Sequence, residues 1–227
     1  MIQLVFPGRA RPTVPVVGVK SAFPVGRIHC VGRNYAAHRR EMGGDDRDPP
    51  FFFAKPGDAV VTGGAAPPYP SRTIDLHHEI ELVVAIGATG EAVEATSALE
   101  LVYGYAVGVD LTRRDLQAAA KAKGQPWEAA KAFDHSAPIS DIRPWTGHPP
   151  SGRISLSVNG QSRQSAALGD MIWSIAEVIS EASRLWRLEP GDLIFTGTPE
   201  GVGPLARGDR VVGEIEDVGR LSFTIGA

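Results

Sequence analysis

The residues best able to do chemistry lie in the run His77-His78-Glu79-Ile80-Glu81. In an extended chain, side chains alternate faces, so Glu79 and Glu81 project to one side and Ile80 to the other. Two neighbouring carboxylates repel unless positive charge lies between them. A hard divalent cation takes oxygen ligands, and Mg²⁺ usually keeps several waters. By composition alone the pair reads equally well as two solvated charges on an edge strand. Gly108-Val109-Asp110 shifts the balance. An Asp at the end of an apolar run is costly to bury unless it is paired or bound to metal. Its other reading is a cap for the helix starting near Arg113. Three carboxylates from two strands would make a Mg²⁺ or Mn²⁺ site with open positions.

Cationic and polar residues follow. Arg114 and Gln117 are three apart, which places them on one helical face just past Asp110. Arg grips a carboxylate through two parallel hydrogen bonds, and Gln adds a third. Lys131 comes next, in Glu128-Ala129-Ala130-Lys131. Lys121 and Lys123 read as solvated charges. His38 and Glu41 are spaced to touch on one helical turn, and a carboxylate that orients a histidine improves it as a general base. The alternative is a chance pair on a surface helix. Thr196-Gly197-Thr198-Pro199-Glu200-Gly201-Val202-Gly203 is turn-rich. Its glycines let backbone approach a ligand, and its Thr hydroxyls can donate to a carboxylate. It lacks the Lys-Ser/Thr of a phosphate-binding loop and also reads as a tight structural turn.

The elements that must position these groups are mostly strands. Residues 1–26 read as an extended N-terminal segment, with residues 27–227 as one catalytic domain. Short strands are predicted over 27–32, 51–54, 76–86, 103–111 and 193–196, with further strands and turns over 210–225. The 76–86 run is the clearest of these. Residues 35–42 suggest one or two helical turns and residues 43–50 a loop. Residues 113–123 read as a helix with Asp115 in its first turn. Asn159-Gly160 after an apolar run signals a hairpin. The apolar spacing over 171–188 predicts the longest helix, with Asp170 as its cap. The sum is a β-rich α+β fold without βαβ alternation.

The bulk composition excludes other classes. The chain has 227 residues, 43% apolar and 22% charged, enough for one sizeable core. A net charge of −3 gives no electrostatic case for nucleic acid or an anionic membrane as partner. No stretch is apolar enough to span a bilayer. The single cysteine, Cys30, precludes an intrachain disulfide and fits a reducing compartment. The N-terminus lacks the pattern of a secretory signal, so a cytoplasmic protein is expected.

These pieces, in this order, resemble the fumarylacetoacetate hydrolase family from about Arg27 to the end of the chain. The resemblance rests on Val31-Gly32-Arg33-Asn34-Tyr35-Ala36-Ala37-His38, Leu76-His77-His78-Glu79-Ile80-Glu81-Leu82 and Gly108-Val109-Asp110-Leu111-Thr112. It continues through Lys131-Ala132-Phe133-Asp134 and Gly191-Asp192-Leu193-Ile194-Phe195-Thr196-Gly197-Thr198-Pro199. It implies a mixed β-roll fold, a homodimer, and Mg²⁺, Mn²⁺ or Ca²⁺ held by Glu79, Glu81 and Asp110. It implies that Arg114, Gln117, Lys131 and Thr198 line the substrate pocket, and that His38 and Glu41 act as a catalytic pair. Asp170-Met171-Ile172-Trp173-Ser174-Ile175 is similar to the fumarylpyruvate-hydrolysing branch. The implied reaction is hydrolysis of the C–C bond of a small acylpyruvate, with fumarylpyruvate giving fumarate and pyruvate. Decarboxylation of oxaloacetate, or isomerisation and decarboxylation of a dienoate, is the alternative on the same site.

Overall fold

The structure, a computed structural model, describes residues 5–35 and 48–227. Apart from Tyr35, the expected helical turn at 35–42, with His38 and Glu41, and most of the 43–50 loop lie outside the described residues.

A mixed six-stranded sheet forms the frame. Its order is Arg143–Pro144, Val102–Val109, Ile80–Ile86, Leu193–Phe195, Ile28–Gly32 and Phe51–Lys55. Leu193–Phe195 runs antiparallel to Ile80–Ile86 and parallel to Ile28–Gly32. Every residue of Ile80–Ile86 is buried, so this strand is covered on both faces. Ile80, Leu82, Val84 and Ile86 face the larger core, while Val83 and Ala85 enter a second core with Ile28, Cys30 and Phe195. Glu81 follows the odd-numbered face. A four-stranded antiparallel sheet runs Gln161–Ala167, Arg153–Val158, Arg210–Ile215, Gly219–Thr224. Its apolar residues, Leu156 and Val211 among them, join the larger core. With three helices among the described residues and these sheets the fold is α+β, as expected. Among the described residues no helix is long and apolar enough to cross a membrane.

The strand predicted over 76–86 is two strands. Leu76–His78 pairs with Thr112–Arg113 and Gly203–Leu205 in a small sheet, and Ile80–Ile86 pairs within the six-stranded one. Glu79 is the break. Its neighbour breaks at the same level: Val102–Val109 ends, Asp110 N donates to Glu79 O at 2.8 Å, and Thr112–Arg113 begins. Two paired strands thus cross between sheets together.

The Asn159-Gly160 hairpin forms as read, with both residues at positive φ (52° and 78°) as a tight turn of matching twist requires. The helix predicted over 171–188 is shorter, Ile175–Leu185. Its cap is Ser174, whose hydroxyl accepts from Glu177 N while the Glu177 carboxylate accepts from Ser174 N. Asp170 instead accepts from Ala167 N across a single 3₁₀ turn. Residues 171–173 stay outside the helix, and Asn34 holds two of their donors. Ile172 N donates to Asn34 O and Trp173 N to Asn34 Oδ1, both at 2.8 Å.

Asp192 ties two central strands together at their ends. It accepts from Arg27 N, Nε and Nη2 and from Glu189 N. Burial opposes its carboxylate, but the adjacent His29 and Arg27 hold its pKa well below the usual range. A depressed folded pKa means that this stabilisation is present above the unfolded value, about 3.9, and is lost as pH falls through the folded value. Asp192→Ala should therefore lower unfolding free energy by about 2–3 kcal/mol at pH 7. In urea titrations the gap from the parent should close below about pH 4. A gap that persists unchanged at pH 2 would remove the electrostatic account.

Candidate functional site

The strand crossing builds the site. Glu79 occupies one break, Asp110 the other, and Glu81 sits one alternation further along, all three buried. One carboxylate oxygen from each lies within 4.8 Å of those of the other two. Glu81 is directly opposite Gly108, where a Cβ would meet Phe195 Cε1 at 2.6 Å and Val83 Cγ2 at 2.5 Å. Glycine is needed there so that these side chains and Glu81 can share one face.

Cations crowd the cluster. Lys131 Nζ, on the short helix Glu128–Lys131, donates to Glu79 Oε2 at 2.8 Å, Asp110 Oδ2 at 2.5 Å and Thr112 Oγ1 at 2.7 Å. Arg114, at the start of the helix Arg114–Ala122, donates from Nη2 to Glu79 Oε1 and from Nη1 to Gln117 Oε1 at 2.6 Å. Burial opposes charge on both Glu79 and Lys131, but their mutual attraction wins. Glu79 is held far below the usual carboxylate range by Lys131 and Arg114. Lys131 is pushed up to about 12 by Asp110 and Glu79. Glu81 differs: burial, then Asp110 and Glu79, push its pKa well up, and the Gly197 N–H at 2.7 Å is a weak counterweight. No described ammonium or guanidinium touches Glu81. Three convergent oxygen donors, one of them lacking a cation of its own, fit a hard divalent ion.

Thr198 closes the opposite wall. The turn after Leu193–Phe195 is held by Asn34, whose Nδ2 donates to Thr196 O at 2.8 Å and Trp173 O at 3.0 Å. Gly197 has φ 97°, and a Cβ there would lie 2.7 Å from Asn34 Cβ, so only glycine allows the clip to close. Glu79, Glu81, Arg114, Gln117, Lys131 and Thr198 line one cavity, with Asp110 buried just behind Lys131. This cavity shares Gly32, Arg33 and Trp127 with an adjacent one of about 250 Å³.

The structure thus gathers every sequence-selected site residue except His38 and Glu41, which lie outside the described residues. It corrects one reading. Lys121 is not simply a solvated charge: half-buried, it lines the same cavity with its ammonium 4.9 Å from the Trp127 ring centroid. Burial, then Arg33 and Arg114, lower its pKa. Two further residues escaped the sequence reading. Lys55, with a fully buried side chain, places Nζ 2.8 Å from Asp110 Oδ1 and donates to Leu111 O at 3.3 Å. Gln164 is fully buried and touches Thr198. A lysine closing the apolar run Phe51-Phe52-Phe53-Ala54 was a readable signal, since such a group is rarely buried unpaired. Gln164 stands in the polar run Gln161–Ala167 and gave none.

A mixed-sheet fold with three clustered, buried carboxylates beside an Arg–Gln pair fits an enzyme that uses a divalent metal on a small molecule. The family model for the fumarylacetoacetate (FAA) hydrolase C-terminal region matches residues 27–226, and the chain belongs to that family. It is 45% identical to a fumarylpyruvate hydrolase of Ralstonia sp over 78% of this chain and 92% of that protein. It is 44% identical to an oxaloacetate tautomerase of Escherichia coli (strain K12), over 83% and 88%. The crystal structure of fumarylpyruvate hydrolase from Pseudomonas aeruginosa in complex with Mn²⁺ and pyruvate matches with a TM-score of 0.95. That protein shares 50% identity over 99% of each chain.

Lys55→Met keeps the length of the side chain and removes one of the two ammonium groups beside Asp110. The metal-free variant should lose about 3 kcal/mol in urea unfolding. Unchanged stability would show that Lys131 alone balances Asp110.

Proposed function

We propose that this chain hydrolyses the C–C bond of an acylpyruvate, with fumarylpyruvate giving fumarate and pyruvate, using Mg²⁺ held by Glu79, Glu81 and Asp110. The observation that carries the reading is the convergence of three buried carboxylates with Arg114, Gln117, Lys131 and Thr198 around one cavity. It is supported by similarity to a fumarylpyruvate hydrolase seen with Mn²⁺ and pyruvate.

A bound divalent cation supplies Lewis acidity and a template for the pyruvoyl oxygens. Arg114, Gln117 and Thr198 grip the carboxylate end and fix its orientation. Glu41 orients His38, which takes a proton from water. The water oxygen adds to the distal acyl carbonyl, and Lys131, whose three N–H groups are held by Glu79, Asp110 and Thr112, stabilises the oxyanion formed there through its positive charge. The bond from that carbon to the pyruvoyl methylene then breaks. Its electron pair leaves with the pyruvoyl fragment as an enolate, and the proton on His38 returns to the methylene carbon. Acid and pyruvate result. A homodimer follows from the family resemblance and is checked by light scattering.

The Escherichia coli relative favours one second reading, action on oxaloacetate. It shares the need for a pyruvate-like enolate but not the attack by water. Pyruvate release from fumarylpyruvate, acetylpyruvate and oxaloacetate with added Mg²⁺, together with the keto–enol conversion of oxaloacetate followed by ultraviolet absorbance, separates the two, and fumarylpyruvate should be the fastest source of pyruvate. Glu81→Ala should abolish metal-dependent turnover and the rise in melting temperature on adding Mg²⁺. Full activity in that variant would remove the ligand assignment. His38→Ala should leave that melting shift intact and slow hydrolysis roughly 10²–10⁴-fold, with a smaller effect on oxaloacetate. Equal loss on both substrates would make His38 a positioning residue.

A further inference from the structure

Gln164 is the fully buried residue of a strand otherwise largely turned to solvent, and no step above uses it. Its place depends on a bulge. Gln161 and Ser162 pair with Val158 and Ser157, then the register shifts, and Gln164 stands opposite the buried Leu156. The unpaired Arg163 takes up the extra length. The bulge backbone meets the Thr196–Gly203 turn so closely that a Cβ on Gly201 would lie 2.1 Å from Arg163 O.

The orientation of the Gln164 amide is fixed by two neighbours whose roles cannot change. The Ile80 N–H is only a donor, and it lies 3.1 Å from Oε1. The Pro199 carbonyl is only an acceptor, and it lies 2.9 Å from Nε2. His78 Nδ1, 2.9 Å from Oε1, is then a donor too. With the amide so set, Nε2 donates to Thr198 Oγ1 at 2.8 Å. Thr198 is therefore an acceptor on this side, and its single hydroxyl proton must go elsewhere. No described group takes it, and Thr198 lines the cavity beside Glu81 and Arg114.

We infer that Gln164 is a positioning residue that fixes the hydrogen-bond polarity of Thr198, so that the Thr198 O–H is presented as a donor to an anionic oxygen of the substrate. The inference rests on the acylpyruvate reading. It assigns recognition of a carboxylate to a hydroxyl whose direction is set from outside the cavity, by a residue of a different sheet. The benefit is pre-organisation. A freely rotating hydroxyl would have to be ordered by the ligand, whereas this one already has its acceptor side filled.

The test is a double-mutant cycle on the Mn²⁺-loaded protein, with pyruvate as probe measured by calorimetry and fumarylpyruvate kinetics alongside. Thr198→Val and Gln164→Met should each weaken pyruvate binding roughly 10-fold or more, as loss of a hydrogen bond to a charged group does. In the Thr198→Val background, Gln164→Met should add less than about twofold. Thr198→Ser keeps the hydroxyl and should bind nearly as the parent does. Both losses should fall mainly on KM, since they affect ground-state and transition-state binding alike. Should Gln164→Met not fold, Gln164→Glu decides, because it keeps the size of the side chain and offers Thr198 an acceptor in place of a donor. At pH 8 it should reproduce the Thr198→Val loss. Additive losses, or full pyruvate affinity in both Gln164 variants, overturn the inference and leave the reaction standing. A parent protein that neither binds pyruvate nor turns over any acylpyruvate overturns the functional reading, and the inference with it.

Discussion

Three carboxylates withdrawn from water cannot cluster unless positive charge is drawn in with them. Most of the local architecture can be read as supplying it. Lys131 bridges Glu79 and Asp110, Lys55 lies against the far oxygen of Asp110, and Arg114 takes the outer oxygen of Glu79. Each cation comes from a different element, so the cluster ties together the edge strand Phe51–Lys55, the short helix Glu128–Lys131 and the helix Arg114–Ala122. A buried ion pair seldom adds net stability, because desolvation cancels the attraction. What it imposes is geometry: with one partner misplaced, a charge is left bare at high cost.

Glu81 is the exception that gives the cluster a purpose. It is buried at the same depth, yet a single backbone N–H is its described polar contact. A scaffold selected for stability alone gains nothing from this arrangement. A scaffold for holding a dication gains a third oxygen ligand without surrendering an existing ion pair.

Much of this was legible in the chain. Alternation placed Glu79 and Glu81 on one face, and the cost of burying Asp110 brought it into the same group. Helical spacing put Arg114 beside Gln117. Other features were not legible, and each for a physical reason. The break at Glu79 was hidden because the chain stays extended on both sides of it, and pairing to two different sheets leaves no local mark. The late start of the Ile175–Leu185 helix goes with Asn34, over a hundred residues away, pinning the backbone of Ile172 and Trp173 outside it. Lys121 looked solvated because nothing near it in sequence shows that Trp127 folds back over its ammonium. Gln164 sits in a run of small polar residues, and only the bulge turns it inward.

The paired crossing of two strands between sheets also limits how such a chain can change its length. In a strand, a one-residue slip sends every side chain to the opposite face. Here a slip in either strand would move a carboxylate off the corner or turn Glu81 into the wrong core. Insertions or deletions over residues 79–81 or 108–112 are therefore closed to variation by single residues. The exposed turn at Asn159-Gly160 and the loop after Pro144 lie away from the corner and carry no such restriction. Lineages built on this scaffold should diversify in length at those loops while keeping the corner unbroken.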